Sequence, residues 1–180
     1  MNVIYINGVE YALADEELGL SLMRYLRERR FLRGAKNGCE AGLCGSCTVV
    51  ADGKPVRSCK ATVGKYLGAH IVTIEGMEHP DGSLHPIQRA FLDAGAVQCG
   101  FCTPGMVMGA YALLLKDPSP DREAIKKAMR GHLCRCTGYQ QIVDAVELAA
   151  RLIREQGLSL EPGCVARTTG VAGNAGAARG

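Results

Sequence analysis

Nine cysteines stand in this chain of 180 residues, and their spacing is the first thing that could do chemistry. In GCEAGLCGSC, Cys39, Cys44 and Cys47 are spaced C-x4-C-x2-C, and Cys59 follows after an eleven-residue spacer. Thiolates with this spacing and a distant fourth partner hold a [2Fe–2S] cluster of the plant-ferredoxin type. Two ferric ions, two sulfides and four thiolates carry a net negative charge that grows on reduction, so the loop must supply donors. Gly38, Gly42 and Gly45 let the chain wrap closely and aim backbone N–H groups at sulfur. A zinc loop or a tight turn of reduced thiols is the other reading, which the interleaved glycines and the three-cysteine spacing disfavour.

A second set joins Cys99 and Cys102 of QCGFC to Cys134 and Cys136 of GHLCRCTGY. A disulfide between residues two apart would strain that bond, so Cys134 and Cys136 need another use. Four thiols on loops at helix ends can converge on one site, and helix N-termini favour the negative charge of an iron–sulfur cluster. By spacing alone zinc is a fair rival, which the plant-type set in the same chain weakens. Cys164 lies outside both sets and has no assigned role.

Composition narrows the classes. Hydrophobic residues make up 47% and charged residues 22%, as in ordinary globular proteins. A net charge of +3 is too small to argue for nucleic acid. The start, MNVIYINGVEYALADEE, lacks a basic region followed by an apolar core. The run MVMGAYALLL is too short to span a bilayer. A cytoplasmic location is therefore expected, with no membrane insertion, and there cysteines are more often ligands or redox groups than disulfides.

The elements that must position these cysteines change character midway. NVIYI and VEYAL flank Asn7-Gly8, and TVVAD and KPVRS flank Asp52-Gly53, which predicts two hairpins. HIVTIEG at 70–76 predicts a further strand, and Leu18, Leu22 and Leu26 a helix over 18–29. The second half reads as four helices: one from Leu84 to Leu92, one over 103–116 with Thr103 as N-cap, one from Ser119-Pro120-Asp121 to about 130, and one over 139–156 ended by Gly157. MEHPDGSLHP is the expected junction. From 170 to 180, eight of eleven residues are Gly or Ala, which predicts a flexible tail or linker over 158–180.

His70, His79, His85 and His132 show no ligand spacing and are expected on the surface or in loops. RYLRERRFLRGAK carries six basic residues against Glu28 and leads into the first cysteine loop. It could dock an acidic partner or offset a negative cluster, and a solvated helix face is the plainer reading. There is no dinucleotide loop, P-loop or nucleophile–base pair, so no catalytic residue is expected in the chain.

GCEAGLCGSCTV, the SC at 58–59, QCGFCTPGM and GHLCRCTGYQQIVDAV together resemble the iron–sulfur subunit of the molybdenum hydroxylases. That family includes xanthine dehydrogenase, aldehyde oxidoreductase and carbon monoxide dehydrogenase. The resemblance covers about 1–156, with all eight cysteines in register. It implies an α+β fold: a β-grasp plant-type ferredoxin domain over 1–76, a linker over 77–83 and a four-helix domain over 84–157. It implies that Cys39, Cys44, Cys47 and Cys59 bind an outer [2Fe–2S] cluster, and Cys99, Cys102, Cys134 and Cys136 an inner one. Gln98 and Cys136 match positions that contact the molybdopterin of a partner. One departure is His132, where the family more often has Asn.

The implied function is electron transfer, as a subunit of a molybdenum-containing oxidoreductase acting on an aldehyde, a purine, an N-heterocycle or CO. Electrons would pass from molybdopterin on a large subunit to FAD on a medium subunit or to an external acceptor. The implied assembly is a dimer of heteromers, and some relatives continue into the molybdenum domain on one chain. The rival readings are a free-standing two-cluster ferredoxin and a zinc-binding assembly module.

Overall fold

The computed structural model describes residues 2–79 and 81–160. Five strands form one mixed sheet: β1 (Val3–Ile6), β2 (Val9–Ala12), β3 (Thr48–Ala51), β4 (Lys54–Arg57) and β5 (His70–Val72), in the order β2-β1-β5-β3-β4. Both predicted hairpins form. Asn7 and Gly8, and likewise Asp52 and Gly53, take positive φ, the two-residue turn that matches strand twist. β5 slots between them, parallel to β1 and antiparallel to β3. The strand expected over 70–76 stops at Val72, where the chain turns into a 3-10 helix over Ile74–Met77.

The helix expected over 18–29 starts later. Residues Asp15–Glu17 form a 3-10 turn, and Ser21 caps α1 (Leu22–Arg24) by accepting a hydrogen bond from the Arg24 N–H. α1 continues as a π-helical turn over Tyr25–Arg29. The second half supplies α2 (Pro86–Asp93), α3 (Thr103–Lys116), α4 (Arg122–Met129) and α5 (Gln140–Glu155). Cys102, not Thr103, holds the N-cap position of α3, and Thr103 and Pro104 open its first turn. Asp121 caps α4 through the Ala124 N–H, and Gly157 takes positive φ just past α5. The tail expected over 158–180 lies outside the described residues from 161 onward, and Cys164 with it.

Strand alternation places the two cores. Ile4, Ile6, Val49 and Ile71 point to one face of the sheet and pack with Leu22, Tyr25 and Leu26. Val50 and Val72 point to the other and join Phe91, Met106, Tyr111, Ile125, Ile142 and Val146 of the helices. α3 lies between sheet and helices, which is why it is apolar nearly all round, with nine of its fourteen residues buried. α4 and α5 are tied at the surface by Arg122, whose guanidinium reaches Asp144 at 2.7 Å and Glu147 at 2.6 Å. Among the described residues, no helix is long and apolar enough to cross a membrane.

Small residues let the halves close. A Cβ on Gly105 of α3 would fall 2.3 Å from the Gly45 carbonyl oxygen. On Gly45, whose φ is +74, a Cβ would meet the Gly131 carbonyl at 2.6 Å. The first cysteine loop therefore sits directly against the N-terminal end of α3 and the turn that carries Cys134 and Cys136.

Candidate cluster sites

The first cysteine loop links α1 and its π-turn to β3. The Cys39 sulfur accepts hydrogen bonds from the Ala41 and Cys44 N–H groups, both at 3.4 Å. These donors, with that of Cys44 foremost, bring the Cys39 thiol down to about 6. Gly42 takes φ +77, and a Cβ on Gly38 would lie 3.0 Å from the Cys44 sulfur. The loop thus aims N–H groups at sulfur, and a Cβ at Gly38 or Gly42 would crowd the Cys44 sulfur or the Lys60 side chain. Cys47 is buried at the start of β3, and Cys59 follows β4. Burial, then Cys47 beside it, pushes the Cys59 thiol up to about 11.

The second set gathers from two turns. Cys99 is exposed before α3, and Cys102 stands at its N-terminus. Cys134 and Cys136 lie in the turn between α4 and α5. Cys136 and Cys99 bring their sulfurs to 3.7 Å. Burial, then the adjacent Cys134, raises the Cys102 thiol to about 12. Burial also presses Cys134 upward, but the Thr137 hydroxyl, donating to its sulfur at 3.2 Å, and backbone donors leave it lowered.

Cys99 and Cys136 thus meet directly, and the thiols of Cys39, Cys59 and Cys102 are each perturbed by a neighbouring thiol, that of Cys44, Cys47 and Cys134 in turn. Weaker charge effects reach Cys59 from Cys39, Cys102 from Cys99, and Cys136 from Cys134, which groups the thiols into the same two quartets. Around a single zinc ion all four sulfurs would lie about 3.8 Å from one another. Pairs within a quartet suit a centre of two metal ions, each taking one pair. The donor set, all thiolate with N–H groups aimed at sulfur, fits iron–sulfur clusters.

A recess of about 560 Å³ runs between the sets, lined by Cys39, Cys44, Cys99, Cys102, Cys134 and Cys136. Phe101, Leu133 and Leu43 stand exposed in the same cysteine turns. Gln98 is exposed next to Cys99, and Cys136 is exposed opposite it. On the other side of the first loop, a recess of about 440 Å³ brings Arg24 and Arg27 to Cys59. The basic run is partly structural: Arg24 pairs with Glu28 at 2.8 Å, and Arg27 donates to the Arg33 and Ala35 carbonyls. Arg30 lies over the rings of Tyr11 and Tyr25.

Two histidines expected on the surface or in loops are buried. His85 is 2% exposed and caps α2, its Nδ1 accepting from the Ile87 N–H. His132 is 4% exposed and stands between the halves. His70 is exposed and stacks on Tyr5, and His79 stays in the loop before α2. Sequence reasoning also missed Tyr139. Its hydroxyl accepts from the Cys134 N–H at 2.9 Å and donates to the His132 carbonyl at 3.1 Å, and its φ is +70. The signal was its place just after the CRC turn, where it reads merely as the start of a helix.

Comparison with known proteins agrees with this geometry. Residues 8–87 match the family model described as 2Fe-2S iron-sulfur cluster binding domain, and residues 73–147 match the [2Fe-2S] binding domain. The nicotinate dehydrogenase small FeS subunit of Eubacterium barkeri is 49% identical over 144 residues, 80% of this chain and 90% of that protein. The aldehyde oxidoreductase of Megalodesulfovibrio gigas is 45% identical over 155 residues, which are 84% of this chain but 17% of that much longer protein. The solved structure of quinoline 2-oxidoreductase from Pseudomonas putida 86 superposes with a TM-score of 0.79 at 40% identity, covering 86% of this chain and 95% of that one.

Proposed function

The chain belongs to the iron–sulfur subunits of the molybdenum hydroxylases, electron-transfer parts of oxidoreductase complexes, and from that premise we propose how its residues serve the transfer. Cys39, Cys44, Cys47 and Cys59 hold an outer [2Fe–2S] cluster, and Cys99, Cys102, Cys134 and Cys136 an inner one. Each thiol pair would hold one iron of its cluster. When bound, each cluster supplies a one-electron carrier, and two of them suit the two electrons of a substrate oxidation. The observation that carries the reading is the gathering of cysteines from both sets around one recess, with Cys99 and Cys136 meeting at 3.7 Å.

The chain's own residues do the rest. The Ala41 and Cys44 N–H groups stabilise the thiolate form of Cys39 and so favour the anionic site. Thr137 does the same for Cys134. Gln98 and Cys136 face outward at the inner site, where they would contact the molybdopterin of a large partner subunit. Exposed Phe101 and Leu133 beside them would be covered by that subunit, as apolar residues at a permanent interface are. Arg24 and Arg27 near Cys59 would face the acceptor, FAD on a medium subunit or an external carrier.

The layout we infer is a β-grasp ferredoxin domain over 1–76, a linker over 77–83 and a four-helix domain over 84–157, supported by the two separate cores. The substrate class we favour is an N-heterocycle, because the similar proteins include a nicotinate dehydrogenase and a quinoline oxidoreductase. A dimer of heteromers in the cytoplasm completes the proposal. Analysis of anaerobically purified protein tests its base: about four irons and as many labile sulfides per chain, with EPR signals after dithionite reduction. Zinc in place of iron, or silence after reduction, would overturn it.

A further inference from the structure

One backbone hydrogen bond joins the two cysteine sets: the Leu133 N–H donates to the Cys44 carbonyl at 2.8 Å. Cys44 belongs to the first set, and Leu133 precedes Cys134 of the second. From one thiol to the other this route has a single non-covalent step. The covalent alternative runs through the whole chain between Cys59 and Cys99. Electronic coupling falls with every added bond, so the short route dominates.

Side chains from both halves hold that bond in register. Arg57 of β4 donates through Nη2 to the Gly131 carbonyl at 2.6 Å and through Nη1 to the Thr48 hydroxyl. Thr48 donates to the Gly45 carbonyl at 2.6 Å, so its proton is committed to the residue after Cys44. The His132 Nε2 lies 3.1 Å from the Thr48 Oγ1 and 3.3 Å from the Arg57 Nη1. The imidazole has been given its space: a Cβ on Gly45 would fall 2.7 Å from its Cδ2, and one on Gly109 of α3 would fall 2.6 Å from its Cε1. A ring wedged between two glycines, with its nitrogen on a threonine and an arginine from the other half, acts as a peg. Its main chain continues directly into Leu133.

We propose that His132 and Arg57 are positioning residues for electron passage between the two cluster sites, keeping the Cys44 carbonyl on the Leu133 N–H. The inference rests on the two-cluster reading above. With both clusters bound, each passage would move one electron, oxidising the inner site and reducing the outer one, with no bond made and no proton transferred.

The test uses the iron-loaded protein and two readouts. One is the splitting of the low-temperature EPR lines that arises when both reduced clusters sense each other. The other is hydrogen–deuterium exchange in the peptide spanning 131–136. His132→Leu keeps most of the ring's bulk without its nitrogen, and Arg57→Met removes the clamp. With iron content unchanged, both are expected to lose or shrink the splitting and to speed exchange at Leu133. His132→Asn, whose amide can meet Arg57 and Thr48, is expected to restore both. If either variant fails to fold, Thr48→Val, which changes little in shape, is expected to shift both readouts the same way. Unchanged splitting in an iron-loaded variant, or no mutual splitting in the parent, overturns the inference. A parent without either cluster signal instead overturns the two-cluster reading.

Discussion

At the scale of residues, pairing is the finding that spacing alone could not supply. The sequence names eight cysteines and sorts them into two quartets, but which sulfur meets which depends on turns that bring distant positions together. Cys99 meets Cys136 at 3.7 Å across α3 and α4. Pairing gives a sharp expectation for Cys39→Ser, which breaks the pair with Cys44. Iron should fall from about four toward about two per chain, while the EPR signal of the second set persists. Loss of both signals at once would mean the quartets are not independent. His132 was illegible for the same reason. Its neighbours Gly45, Thr48, Arg57 and Gly109 come from other elements, and no local pattern announces them.

At the scale of elements, turn and cap chemistry was legible because it is local. Asn7-Gly8 and Asp52-Gly53 gave both hairpins, and the bounds predicted for α3 match Thr103–Lys116. The errors lie where tertiary packing decides. The leucine period that predicted a helix from residue 18 loses its first turn to the Ser21 cap and the bridge from Ser21 to Thr62. The strand after His70 stops where β1 ends: Ile71 pairs with Ile6, and the next residue of β1's path, Asn7, turns away and takes the Thr73 N–H on its side-chain oxygen. α2 carries a cap that titrates. Burial, then the charge of nearby His79, holds His85 at about 4 against 6.5 unfolded. Between those values the unfolded chain binds a proton that the folded chain refuses. Its contribution is therefore whole above 6.5 and is lost as pH falls toward 4. His85→Asn keeps a capping side chain and should flatten this part of the profile, read as the difference in urea midpoint between pH 7 and pH 5. His85→Ala should cost about 1 kcal/mol at neutral pH.

At the scale of the whole molecule, two of the exposed large apolar residues, Phe101 and Leu133, stand in the cysteine turns of the inner site. Leu133 is 57% exposed and Phe101 47%, and both lie within the proposed contact with the large subunit. Leu133→Ser leaves the backbone N–H in place and should abolish co-purification with that subunit while iron per chain stays constant. Retention of the complex would move the interface elsewhere. The tight seam has a further consequence, for recombination. Gly45, Gly105 and Gly109 leave space only for the backbone and ring that face them. A chimera grafting the first half of one relative onto the second half of another must therefore inherit compatible residues at these glycines and at position 132. Grafts that split this group should come out insoluble or iron-poor, whereas grafts that transfer it intact should mature normally, so the halves are interchangeable only as matched sets.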